Sequence, residues 1–136
     1  MFDKPYKLEI VTPRKVIFSG EVVSFSAPGV NGGFQVLFDH APLLCTIGIG
    51  EVKITTKDNN ENRYATSGGF VEVKDNTAIM LAETIETREE IDIQRAENAK
   101  TRALKRIKER KPGTDLARAE TALQRALNRI RVATKN

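Results

Sequence analysis

Cysteine and histidine each occur once in 136 residues. A single Cys45 cannot form an internal disulfide. Set in the apolar run APLLCTIGI, it reads as a buried core thiol in a chain made for a reducing compartment. His40 has no second histidine and no cysteine cluster to complete a metal site, so no metal is expected. In DHAPLL it reads as a turn or interface residue. No run of 18 or more apolar residues exists, which excludes a membrane-spanning helix. The first residues also lack the charged-then-apolar pattern of a secretory leader. The phosphate-cradling pattern GxxxxGK[ST] is missing, and Ser67-Gly68-Gly69 is not the GxSxG nucleophile elbow. No catalytic residue is expected, and any nucleotide this chain binds it does not hydrolyse. Aromatics are few, six Phe and two Tyr, and none follows Phe70.

What is present is unevenly spread. The length suits one ordinary core plus an appendage. Residues 1–88 hold 9 Lys+Arg against 11 Asp+Glu, a charge of −2; residues 89–136 hold 13 against 7, a charge of +6. A basic segment raises nucleic acid as a partner. However, this one has no aromatic for base stacking and interleaves Glu97, Glu109 and Glu120 among its cations. Nucleic acid is therefore not the expected partner.

The first part reads as strands. KLEIV, EVKIT and FVEVK alternate polar and apolar residues with period two, and KVIF, EVVSF and AIMLA add β-branched and aromatic runs of strand length. Turn chemistry separates them at Thr12-Pro13, Ser19-Gly20, Ala27-Pro28-Gly29, Asn31-Gly32-Gly33, Lys57 to Asn62 and Lys74-Asp75-Asn76. Short strands so evenly spaced predict an antiparallel β-sandwich or flattened barrel over residues 1–86. The glycine-rich stretch from Ala27 to Gly33 reads either as a plain strand connection or as a rigid foot on a partner.

Residues 87–136 read as an antiparallel α-helical hairpin, so the fold class is α+β and mainly β. Thr87-Arg88-Glu89-Glu90 has capping-box form and predicts a helix over about 89–110, ended by Lys111-Pro112-Gly113. Thr114 or Asp115 caps a second helix over about 115–133. Ala96, Ala99, Ala103 and Ile107 form one apolar stripe; Leu116, Ala119, Leu123, Ala126 and Ile130 form the other. Stripes made largely of alanine allow close approach but bury little area, so the hairpin holds itself weakly. Such an element suits a switch with two docking positions.

Arg95 and Arg102 lie seven apart on the first helix, and Arg125 and Arg129 four apart on the second. Folding about Pro112-Gly113 brings Arg95 level with Arg129 and Ile130, and Arg102 level with Leu123. The four guanidinium groups then span roughly 10 Å of the hairpin at about 1.5 Å rise per residue. Like charges so close repel, at a cost on the order of 1–2 kcal/mol per pair at an effective dielectric near 20. A solvated charged face is the common reading of such a stretch. An anion, or a carboxylate surface on a partner, is the reading that relieves the repulsion, with Asp92 or Glu86 placed to orient an arginine or accept from a ligand amine.

At this point the chain resembles a known family, the epsilon subunits of bacterial-type F-type ATP synthases. The resemblance rests on four segments in the family's order and spacing: VTP at Val11–Pro13, the glycine loop leading into DHAPLL, SGGFVEV at Ser67–Val73 and IDIQRA at Ile91–Ala96. It implies an N-terminal β-sandwich followed by a helical hairpin in a non-catalytic rotor subunit. The sandwich would bind the gamma subunit and stand on the c-ring, placing the protein peripherally on the cytoplasmic side of the cell membrane. The hairpin would permit turnover when folded down, and would inhibit ATP hydrolysis when extended along gamma to the alpha/beta head. Some members bind ATP as a regulatory ligand through I/L-D-x-x-R-A, which Ile91, Asp92, Arg95 and Ala96 match; Glu86, Arg102, Arg125 and Arg129 match further contacts. No catalytic cofactor is implied. One stretch departs from the family. Where GELGILPGHAPL is common, this chain has GGFQVLFDHAPL, with Gly33 for glutamate, Gln35 for glycine, Phe38 for proline and Asp39 for glycine. Gly32, Gly33 and His40 are the foot contacts the resemblance assigns. The competing reading, from composition alone, is a basic helical adaptor or weak nucleic-acid-binding module on a β-domain.

Overall fold

Alternation becomes structure in the first strand. In the computed structural model, which describes residues 4–135, β1 (Tyr6–Val11) buries Tyr6, Leu8 and Ile10 and turns Lys7 outward. The strands that follow are β2 (Val16–Gly29), β3 (Gly32–Val36), β4 (Leu43–Ile47), β5 (Gly50–Thr56), β6 (Glu61–Lys74) and β7 (Thr77–Thr87). They pair in the order β1-β7-β6-β4-β2-β3, with β5 joining β2 to β6 and β1 also joining β2. The sheet thus wraps back on itself as a flattened barrel. Its pairs are antiparallel except β1–β7, which is parallel, with Leu8 opposite Ala78.

Two expected turns are instead parts of strands. Ser19-Gly20 lies inside β2, because β1 supplies partners at Glu9 and Leu8. Ala27-Pro28-Gly29 ends the same strand, pairing with Phe34, Gly33 and Gly32. The only turn in that stretch is the two-residue link Val30-Asn31, with Gly32 at φ 128° completing the reversal. β3 and β4 went unread in the sequence because GGFQV and LLCTI are short and bury little, Val36 and Ile47 being their buried residues.

Gly68 and Gly69 mark a corner. The register of β6 against β7 slips there, at φ 136° and 148°, and β6 changes partner from β5 (through Thr66) to β4 (from Gly69). A Cβ on Gly69 would meet the Leu81 carbonyl oxygen at 2.0 Å, so the backbones approach too closely for any side chain.

The core is in this unit. Phe25, Leu8, Ile10, Ile54, Met80 and Val71 are fully buried in one cluster, where Phe25 meets Phe34 edge to face at 6.5 Å. The Tyr6 hydroxyl reaches into it and donates to the Val36 carbonyl at 2.5 Å. Burial raises the ionisation of that hydroxyl above its ordinary value. Cys45 is on the inner face of β4 but only half-buried, so the thiol expected inside the core stands at its margin.

The chain divides after Thr87, and Arg88–Asn136 form a second unit. The expected capping box opens only a single 3-10 turn, Arg88–Glu90. The α-helix α1 (Ile93–Glu109) starts four residues later than the sequence predicts. The reason is Asp92, whose carboxylate accepts the Arg95 amide at 3.0 Å, a stronger N-cap than a threonine. Arg110 caps the other end in the left-handed region, its amide bonded to the Arg106 carbonyl. Asp115 opens α2 (Leu116–Thr134) in the same way, accepting the Arg118 amide at 3.0 Å. The buried residues are Ala96 and Ala103 on α1, and Ala119, Ala126, Asn128 and Val132 on α2. Ala99, Ile107, Leu116, Leu123 and Ile130 are half-buried.

Candidate functional site

Arg95 and Arg102 each precede a buried alanine, Ala96 and Ala103, so both stand at the margin of the α1 stripe and are exposed. Arg125 stands in the same relation to Ala126, and half-buried Arg129 follows buried Asn128. Helix geometry thus sets the arginines along the margins of the two alanine stripes. Asp92 is committed locally: its carboxylate holds the first turn of α1 through the amide of Arg95, which fixes where that side chain leaves the helix. Ile91 is buried at the junction before it, its amide bonded to the Arg88 carbonyl at 3.4 Å. Glu86 belongs to the other unit, half-buried near the end of β7 opposite Ala65. Seven of the eight residues that match the family's nucleotide contacts therefore lie in the helical unit.

Two cavities lie at the connecting end of the hairpin, with volumes of about 410 and 300 Å³. Arg102 lines the smaller; Arg95, Arg125 and Arg129 line neither.

The foot residues are separated. Gly32 and Gly33 open β3 beside the Val30-Asn31 turn. His40 lies beyond the far end of that strand, which at roughly 3.3 Å per residue puts Val36 about 13 Å from Gly32. Half-buried His40 shares a 2.7 Å hydrogen bond between Nδ1 and the Ala41 carbonyl. Its neighbour Asp39, at φ 65°, occupies a conformation that glycine adopts freely. A 2.7 Å bond from the Asp39 amide to Asn76 Oδ1 holds it there, tying the loop to the β6–β7 turn. Asparagine in that turn was legible only as turn chemistry, and its second partner was not.

The sandwich also carries a surface that the sequence did not disclose. Across the sheet, Thr46 faces Phe70, Phe70 faces Leu81, Leu81 faces Val11, and Val11 faces Val16. Phe70, Leu81 and Val16 are more than half exposed, and Leu44 beside them is 73% exposed. A contiguous apolar row of this kind marks an interaction face. It was hidden because FVEVK and AIMLA give the row one residue each, and only the register joins them.

Fold and surfaces together define a class: a β-sandwich that displays an apolar face, followed by an arginine-edged helical hairpin. The chain belongs to the ATP synthase delta/epsilon chain family. Its residues 5–88 match the β-sandwich domain of the ATP synthase delta/epsilon chain, and residues 89–134 match the long alpha-helix domain. It is 45% identical to the ATP synthase epsilon chain of Moorella thermoacetica over 106 residues, 78% of this chain and 79% of that one. Over 83 residues it is 49% identical to that of Chlorobaculum tepidum, 61% of this chain and 94% of that one. Within the family it falls with the epsilon chains, which are non-catalytic stalk subunits. A solved chain of the Euglena gracilis mitochondrial ATP synthase (OSCP/F1/c-ring) has the same fold, with a TM-score of 0.78 at 20% identity over 88% of this chain and 76% of that one. A second, from the central stalk and c-ring of the Tetrahymena thermophila enzyme, has a TM-score of 0.59 at 18% identity, covering 95% and 93%. Among the described residues no helix is long and apolar enough to cross a membrane.

Proposed function

We propose that this chain is a rotor subunit of a proton-translocating ATP synthase, coupling c-ring rotation to the catalytic head through gamma. Its helical hairpin acts as a two-state brake on ATP hydrolysis. The observation that carries this reading is the pairing of a firmly cored sandwich with a hairpin whose buried residues are mostly alanine. One unit is built to stay and the other to move. The apolar row through Phe70 and Leu81 is the face offered to gamma. Gly32, Gly33 and His40, at the two ends of β3, are the contacts offered to the c-ring. The extended hairpin, with its excess positive charge, reaches acidic surfaces of the alpha/beta head. The protein is then held peripherally on the cytoplasmic side of the cell membrane through these partners.

ATP binds the folded hairpin and not the extended one. Arg95, Arg102, Arg125 and Arg129 receive the phosphates, Ile91, Asp92 and Ala96 shape the first turn, and Glu86 is the further contact the family resemblance assigns. Binding stabilises the folded state by RT ln(1 + [ATP]/Kd), about 1.4 kcal/mol at tenfold excess over Kd. That tips a balanced switch and leaves a strongly biased one unmoved. Two experiments test the reading. Ending the chain after Glu89 raises ATP hydrolysis by the assembled enzyme while coupling is kept; unchanged hydrolysis removes the brake. Calorimetry of the subunit with ATP gives binding that Arg95→Ala and Arg125→Ala weaken; no heat at millimolar ATP removes the ligand and leaves the brake standing.

A further inference from the structure

Between Glu21 and Asp39 the chain carries no charged side chain, and the turn from β2 to β3 lies within that neutral stretch. It holds the sequence's one Asn-Gly pair, Asn31-Gly32. Asn31 is exposed, and its carboxamide bonds to no other described residue. Gly32, at φ 128°, has open space where a Cβ would stand, with nothing within 4 Å. Its amide belongs to the last rung of the β2–β3 ladder, opposite Gly29, so freeing it takes only fraying at a strand end.

The other described asparagines lack this combination. Asn76 Oδ1 accepts the Asp39 amide at 2.7 Å, and Asn98 Oδ1 accepts from Gln94 at 3.0 Å within α1. Asn128 is buried in α2, and half-buried Asn62 lies inside β6. Asn59 is followed by Asn60, whose amide donates to the Thr56 hydroxyl at 3.1 Å, and Asn60 is followed by Glu61. In every one of these cases the next residue carries a side chain that crowds its backbone nitrogen. At Gly32 that nitrogen is unshielded.

We propose that Asn31 is a site of intramolecular deamidation in the folded protein. The deprotonated Gly32 nitrogen attacks Asn31 Cγ, the Cγ–Nδ2 bond breaks, and ammonia leaves with a proton taken from water. The product is a succinimide ring. Water then opens the ring at one of its two carbonyls, giving aspartate or isoaspartate; nothing is oxidised or reduced. Either product places the first charge in the neutral stretch between Glu21 and Asp39. Isoaspartate also lengthens the main chain by a methylene within the Val30-Asn31 link, so the rung joining Gly29 to Gly32 loses its register. The reaction needs no partner and is independent of the roles given above.

The test is ageing of the folded full chain in neutral and in mildly alkaline buffer, followed by tryptic mass mapping. The tryptic segment from Val16 to Lys53 contains Asn31 as its only asparagine, and fragmentation separates it from Gln35. We expect Asn31 to convert before any other asparagine, faster at the higher pH, with isoaspartate detected by enzymatic methylation. Conversion slows at least about tenfold in Gly32→Ala, where a Cβ shields the nitrogen. It continues at the parent rate in Gly33→Ala, one residue further on. Because alanine at φ 128° strains the turn, Asn31→Gln supplies a second variant that keeps the glycine and forms no five-membered ring; it stays unmodified. Far-ultraviolet circular dichroism checks that each variant keeps its fold. Conversion confined to the urea-unfolded chain overturns the proposal, because the folded turn then protects the amide. So does another asparagine converting first, or a rate untouched by Gly32→Ala.

Discussion

The sandwich buries Phe25, Leu8, Ile10, Ile54 and Met80; the hairpin buries four alanines, one valine and Asn128. Fully burying a side chain of the first kind contributes about 1.5–3 kcal/mol, whereas an alanine methyl contributes about 0.8. The sandwich strands are also joined over long sequence separations, β1 to β7 being the extreme, so they gain and lose order together. The hairpin relies on capping aspartates and one short connection. The two units therefore differ in how much disturbance each absorbs. On the proposed reading, the permanent attachments fall where packing is deep and the adjustable element where packing is shallow.

The comparison can be strained most at Phe25. Phe25→Ala removes a fully buried ring from the sandwich and is expected to cost about 3–5 kcal/mol, read as a fall in the urea midpoint of the β-unit. If helicity collapses with it, the hairpin is more dependent on the sandwich than this account holds.

Tyr6→Phe is smaller and carries a pH signature. The buried hydroxyl ionises only above its ordinary value, so the folded state favours the neutral form. Its contribution is complete below the unfolded value near 10 and is lost as pH rises toward the folded one. The wild-type urea midpoint should fall above about pH 10, with a weaker fall in Tyr6→Phe. At neutral pH the lost bond to Val36 costs the variant about 1 kcal/mol.

A change of similar size, without the pH signature, falls on the weaker unit. Asp92→Ala removes the α1 cap at a cost of about 1 kcal/mol. Because the hairpin has little margin, helical circular dichroism should decline at a lower temperature while the sandwich midpoint stays in place.

This division was partly legible in the sequence. Alternating residues disclosed β1, β5 and the far half of β6, and the run of helix formers disclosed both helices with their alanine stripes. The parallel β1–β7 pair left no local mark, because register between distant strands is a tertiary property. Ser19-Gly20 carried turn chemistry that pairing with β1 overrode. Thr87 and Asp92 both offered caps, and the stronger acceptor set the helix start. The arginines were legible by spacing as two pairs. What their spacing did not disclose is that two cavities at the connecting end share Arg106 and Thr114 in their walls, since that depends on the path of the connection. Asp39 looked like a departure from the family pattern, and its bond to Asn76 shows how the loop accommodates it.

Native-state hydrogen exchange on the intact chain tests the central contrast most directly. The account predicts that amides in the middles of α1 and α2 exchange at least about a hundredfold faster, relative to their intrinsic rates, than those of β6 and β7, a gap of roughly 2.7 kcal/mol in opening free energy. Equal protection across the two units would contradict it, because the hairpin would then be no easier to open than the sandwich.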